Sequence, residues 1–273
     1  MLAVAGIPPV LLGTSMVFSP AGTSAVIAKT LWNARIDRSD EHRLGVIYTG
    51  IYVLWFGVLM LFAAYDPAGQ RDLARVAGLL LVLRAAQQHF RAHELASAYG
   101  VTPSKNHLHV GWLATTGVLL SALAGAAPPL HVASGPGLQI AFALRQIVLG
   151  LAALHGIAIG LLLALLPRFG LSMCCRMTGA TRTPGSPQLR SIIQPLGTYM
   201  FAAGLMAGAA RDGGGRHLAV ALGTLVVTRG VMRWPTKSAL RYVFGVESLV
   251  LSQQALALIA AGLLVALAPT AGP

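Results

Sequence analysis

The chain has 273 residues, of which 55% are hydrophobic and only 10% are charged, and its mean hydropathy is +0.69. Soluble domains carry roughly 25% charged residues, so a water-soluble fold is excluded by the apolar surface it would have to hide. The net charge of +12 would suggest nucleic acid in a soluble protein, but here the charges cluster in a few loops and no nucleic-acid partner is expected.

A transmembrane helix needs about 20 mostly apolar residues. The sequence predicts eight such segments, near 3–22, 44–65, 73–92, 108–127, 139–166, 191–210, 217–233 and 245–267, and therefore an all-α polytopic membrane protein. Pro8, Pro9 and Pro20 interrupt the first segment. It is read as a retained helix, because no basic run precedes it and no convincing cleavage site follows. After it, residues 21–34 are apolar with Lys29 and Trp32 near their end, and 168–180 are similarly mixed. Both stretches predict short helices at the membrane surface, with Trp and Lys at headgroup level. Asp66-Pro-Ala-Gly69 and Asp212-Gly-Gly-Gly215 predict tight turns joining the second to the third and the sixth to the seventh segments, since Asp suits a turn start and Gly supplies positive φ. The run from Thr181 to Gln188 is a turn-rich linker, and the uncharged, punctuated run from Pro128 to Gly137 marks a boundary between two units, 1–130 and 138–273.

The two units repeat one another. At a shift of 147, Gly13 meets Gly160, Pro20 meets Pro167 and Arg43 meets Arg190; Asp66 meets Asp212 at 146; Arg71/Arg216, Gly78/Gly223 and Arg84/Arg229 align at 145. Matches of Gly, Pro, Asp and Arg in one consistent order point to a duplication. Four helices per unit, an even number, give both units the same orientation, a parallel repeat. Lys29, Arg35, Arg38 and Arg43, then Arg91 and Lys105, then Arg168, Arg176, Arg182 and Arg190, and finally Arg233, Lys237 and Arg241 fall on one side. Lys and Arg favour the cytoplasmic side, so these loops are expected there and both termini opposite. Small-xxx-small patterns such as Gly204/Gly208 and Gly156/Gly160 suit close helix packing in lipid. The two cysteines, Cys174 and Cys175, are adjacent, a spacing unsuited to an unstrained disulfide; they read as small apolar filler or as a juxtamembrane lipidation pair.

Ionisable groups inside hydrocarbon are costly and by default functional. Arg84, Arg229, Glu247 and His155 fall within the predicted segments. Arg229 and Glu247 come to similar depth on consecutive antiparallel segments, which predicts a buried pair, while Arg84 has no carboxylate on the next helix. Three readings of the arginines stay open: snorkelling to the interface, an internal salt-bridge network, or an anionic ligand. Gln87, Gln88, Gln253 and Gln254 complete a predicted polar pocket, with Arg84, Arg229, Gln87 and Gln253 as its ligand-binding set. His89, His93, His107 and His109 gather near one surface, at metal-ligand spacing, but they fall short of the histidine-rich boxes of membrane oxygenases. Interfacial histidines without metal are the simpler reading, and no cofactor is expected. His155 is alone and reads as a helix-packing residue. No phosphate-binding Gly loop with its Lys and no Gly-x-Ser-x-Gly elbow occurs.

Each unit resembles the small four-helix membrane proteins of the DoxX-like type, through Pro20 and Pro167 ending the first helix, Arg43-Leu-Gly45 and Arg190 heading the second, and Arg84 and Arg229 late in the third. The stretch from Arg43 to Glu94 is also similar to Erg-twenty-eight-like sterol scaffold proteins, through its Tyr-rich helix and His89-Phe-x-x-x-Glu94. Such proteins usually carry one bundle where this chain has two, and the resemblance implies fold more than function. The expectation is a membrane protein that binds a lipid-like or isoprenoid-like molecule, or scaffolds an enzyme handling one. The alternatives are a lipid-modifying enzyme (an isomerase or terpenoid cyclase) with Glu247 as general acid, and a small-molecule transporter. Expected partners are membrane lipids and a membrane enzyme.

Overall fold

The computed structural model describes residues 2–27, 39–65, 71–123, 136–182, 185–211 and 216–267. The predicted turns at 66–69 and 212–215, the basic stretch 29–38 and most of the 128–137 join lie outside these residues, as does part of the 181–188 linker. The described residues are helical, without strands: α1 (Leu2–Phe18), α2 (Pro20–Val26), α3 (Asp40–Tyr65), α4 (Arg71–Phe90), α5 (Ala92–Tyr99), α6 (Pro103–Leu123), α7 (Pro136–Leu165), α8 (Pro167–Met177), α9 (Pro187–Arg211), α10 (Arg216–Met232), α11 (Lys237–Phe244) and α12 (Ser248–Leu267).

Local chemistry sets the breaks. Pro lacks an N–H, and its ring clashes with the carbonyl four residues back. Pro20 therefore opens α2 after Ser19 (φ −135, ψ 62), and Pro167 opens α8 after Leu166 (φ −126, ψ 63). Short helices thus stand in the described part of 21–34 and at 168–180, where the sequence predicts them. Two further short helices, α5 and α11, were not foreseen. Each ends on a left-handed glycine, Gly100 at φ 73 and Gly245 at φ 68, a conformation that L-residues with a Cβ resist. The last predicted segment, drawn from 245, therefore begins only at Ser248.

Each of four outer helices lies along one inner helix: α1 on α3, α6 on α4, α7 on α9 and α12 on α10. The inner helices meet one another, α3 touching α4, α9 and α10, and α9 touching α4 and α10. The outer–inner contacts are backbone to backbone. A Cβ on Gly13 would collide with the Leu54 backbone, and one on Gly160 with that of Phe201. Gly78 and Gly117 exclude a Cβ from each other's surroundings, as do Gly223 and Gly262. The centre is a single core that includes Ile51, Trp55, Leu59, Met60, Leu80, Leu189 and Met206, and the buried Trp55 indole donates to the Ala221 carbonyl at 2.8 Å.

Four helices are long and apolar enough to cross a membrane, at Asp40–Leu61, Ala143–Leu165, Ile192–Ala210 and Ser248–Leu267. Those of α7 and α12 are mostly exposed, through residues such as Leu151, Leu154, Leu256 and Leu263, whereas that of α3 is mostly buried. The apolar stretches Gly6–Phe18 and Leu218–Met232 are shorter. α4 falls short in apolarity because Arg75, Arg84, Gln87 and Gln88 lie on it.

Introducing bulk at the outer–inner contacts is expected to destabilise the bundle. Overpacking costs about 1–3 kcal/mol, so Gly160→Leu and Gly117→Leu should each lower the thermal midpoint in detergent, followed by size-exclusion chromatography after heating. Gly111→Leu, at an exposed site with open space around it, should leave the midpoint unchanged.

Candidate functional site

A polar layer crosses the bundle toward the ends of α4 and α10. Arg84 lies two turns before the end of α4, and its Nη1 donates to Gln87 Oε1 at 2.8 Å. Thr198 on α9 donates to the same oxygen at 3.0 Å, and Gln87 Nε2 donates to the Ala164 carbonyl at 3.2 Å. Ala164 sits in the last turn of α7, where helix carbonyls lack intrahelical donors; the Pro167 break thus supplies the acceptor that orients Gln87. The Arg84 guanidinium also reaches the Tyr199 hydroxyl on α9. On the other side of the layer, Arg229 of α10 lies over the Tyr52 ring of α3, 5.5 Å from its centroid, a cation–π distance, and interacts with its hydroxyl. Gln88 donates to Asn106 at 3.1 Å, with both side chains buried, and Arg233 bonds Gln254.

Four of the residues singled out in the sequence therefore behave differently from one another. Arg84 and Gln87 bond each other within the layer and do not line the cleft at the α7–α8 break. Arg229 joins the same layer through Tyr52. Glu247 does not: it lies exposed on the turn after Gly245, outside α12. Among the described residues no ion pair joins it to Arg229, and the predicted buried pair is corrected accordingly. The cause is the glycine cap of α11, which moves the helix start past Glu247. Gln253 is also exposed, and its neighbour Gln254 is the one turned toward Arg233. His155 points outward on α7 rather than into a packing interface. His89 and His107 approach, with ring centroids 6.4 Å apart, while His109 stacks on Trp112. Among the described residues no group of three or more His, Cys, Asp or Glu is placed to hold a metal. Cys174 and Cys175 on α8 are not joined in a disulfide, and burial pushes the Cys174 thiol up to about 11.

Two features were missed in the sequence. Arg145 on α7 is 2% exposed, with Nε and Nη2 unbonded among the described residues; a charge inside an apolar segment was the available signal. The second is a cleft of about 620 Å³ bounded by the α4–α5 corner, the α7–α8 break and the start of α9. Arg91, Arg168, Arg190 and Gln194 supply its polar side, and Leu165, Leu166 and Phe169 its apolar side. In sequence these arginines read only as loop charges; the Pro167 break sets Arg168 beside Arg91 at the α4–α5 corner and Arg190 at the start of α9. Thr198 bonds the Gln194 carbonyl at 3.1 Å, so the cleft floor and the Arg84 layer share one stretch of helix.

No protein-family model, curated protein or solved structure matches the chain.

Breaking the layer should cost more than removing Glu247's charge. Tyr199→Phe leaves a guanidinium short of a buried partner, a loss of about 1–3 kcal/mol. Glu247→Gln, at an exposed turn, should change stability by no more than about 0.5 kcal/mol. Unfolding midpoints of both variants in the same detergent test this order, and the reverse order would contradict the geometry.

Proposed function

We propose that the chain is a multi-pass membrane protein that holds a lipid-like or isoprenoid-like molecule in the cleft at the α7–α8 break, for storage or for a membrane enzyme that handles it. The observation that carries this reading is the cleft's composition. One side is guanidinium and amide, and the other is Leu165, Leu166 and Phe169, which are also exposed on the outside of the bundle. An amphiphile from the bilayer can place its chain along such a wall and its polar end among the arginines. A soluble substrate has no use for the wall.

The same reading takes the chain as eight membrane-crossing helices in two parallel four-helix repeats, 1–130 and 138–273. Its support is that contacts recur at the shifts found in the sequence. A shift of 147 carries Gly13 and Leu54 onto Gly160 and Phe201, and a shift of 145 carries Gly78 and Gly117 onto Gly223 and Gly262. The same shifts carry Tyr52 onto Tyr199 and Arg84 onto Arg229. In the bundle each arginine meets the other unit's tyrosine, as a pair related by a pseudo-twofold axis would. The basic side, where α2, α5, α8 and α11 lie, would then face the cytoplasm. The enzyme alternative drew on a buried Glu247 as general acid; Glu247 lies exposed outside α12, so that alternative has lost its support.

A photoreactive lipid analogue offered to the protein in membranes should crosslink to the peptide spanning Leu165 to Phe169 and be displaced by excess unlabelled lipid. Leu166→Trp, which fills the apolar side, should reduce that labelling severalfold. Labelling spread evenly over exposed α7 and α12 residues, and unaffected by Leu166→Trp, would contradict a specific site.

A further inference from the structure

We infer that the cleft at the α7–α8 break is a head-group site for a phosphate-bearing lipid, an assignment that rests on the lipid-binding reading above and names the ligand's polar end. Three guanidinium groups, those of Arg91, Arg168 and Arg190, line one cleft against a single carboxylate. That carboxylate, Glu94, already accepts from Arg91 Nε at 3.0 Å, so that among the described residues Arg168 and Arg190 have no ion pair in the cleft. Among the described residues Arg190 Nε is buried and unbonded. So is Gln194 Oε1, on a side chain only 6% exposed that forms part of the cleft lining. A buried polar group without a partner costs about 1–3 kcal/mol, a cost that a bound ligand removes. The fork of a guanidinium matches the oxygens of a phosphate, and the amide of Gln194 can bond a phosphate oxygen through its N–H or a ligand hydroxyl through its carbonyl.

The repeat provides a built-in comparison, since the cleft draws residues from both halves and their counterparts lie in both halves as well. At the shifts of 145 and 147, Arg91 corresponds to Thr236, Glu94 to Ala239, Arg168 to Ala21 and Gln194 to Ile47, and only Arg190 keeps its charge, as Arg43. The presence of these groups at one of two repeat-equivalent places fits a ligand site that the bundle forms once, from residues of both halves. The apolar side, Leu165 at 71% and Phe169 at 60% exposed, marks the phosphate as the head of a lipid rather than a free anion.

The test is to titrate the protein, purified in mild detergent, with dioctanoyl phosphatidic acid, dioctanoyl glycerol and inorganic phosphate, reading binding by thermophoresis. Saturable binding of the phosphatidic acid is expected. Losing a charge-assisted hydrogen bond should weaken it roughly tenfold in Arg190→Gln and again in Arg168→Gln. Arg168 is exposed, so its variant reports on binding with little risk to folding. Arg176→Gln, on the exposed part of α8 outside the cleft, should change binding by less than about twofold, as isolated surface charges do. Equal weakening by Arg176→Gln, or equal binding of dioctanoyl glycerol, would overturn the head-group assignment while leaving a lipid ligand in place. Inorganic phosphate binding as tightly as the phosphatidic acid would overturn the lipid source. Failure of every amphiphile to bind would remove the lipid-binding reading itself.

Discussion

Backbone-to-backbone contact between each outer helix and its inner partner is the constraint on which the rest of the bundle depends. Lipid gives helices no hydrophobic reason to associate, so close van der Waals contact has to supply it. Gly13, Gly50 and Gly57 allow α1 to lie directly on the α3 backbone, and Gly156, Gly160, Gly197 and Gly204 do the same for α7 and α9. With the outer helices fixed this way, their ends are fixed too. Pro20 and Pro167 then turn the chain at defined depths, and the α7 break falls beside the end of α4 and the start of α9.

That placement accounts for the polar chemistry. A guanidinium within a helical bundle needs acceptors, and Arg84 obtains them from Gln87 and from Tyr199 of the second half. Gln87 is in turn oriented by Thr198 and by the carbonyl of Ala164 in the last turn before Pro167. The break that orients this layer also opens the cleft and sets Arg168 at its edge. The Arg84 layer and the arginine-lined cleft thus adjoin, meeting at the Gln194–Thr198 turn of α9.

The helical architecture was legible in the sequence because apolar length and Pro positions act locally. The short helices α2 and α8 were foreseen for that reason, and the spacing of Arg84 and Gln87 placed them on one helical face. Glu247 was misplaced because the last segment was drawn through Gly245. A glycine in the left-handed region and a glycine inside a helix look alike in sequence, and only the former moves Glu247 out to the surface. Gln253 and Gln254 differ by about 100° around α12, and apolar residues surround both too evenly to tell them apart. The cleft was the least legible part. Arg91, Arg168 and Arg190 are far apart along the chain, and each carries an adequate explanation as a loop charge until α4, α8 and α9 are packed together. Four helices meet a strict standard of length and apolarity for crossing a membrane, fewer than the eight segments expected: α4 carries Arg75, Arg84, Gln87 and Gln88, and the apolar stretches Gly6–Phe18 and Leu218–Met232 are shorter.

The central claim is that this bundle retains an amphiphile at the cleft. Native mass spectrometry of the protein taken from its membrane in mild detergent, followed by identification of whatever lipid remains bound, tests it most directly. The account predicts one bound molecule of a restricted lipid class, released when Arg190 is replaced by Gln. Only a statistical spread of bulk phospholipid, the same in the wild type and in Arg190→Gln, would contradict it.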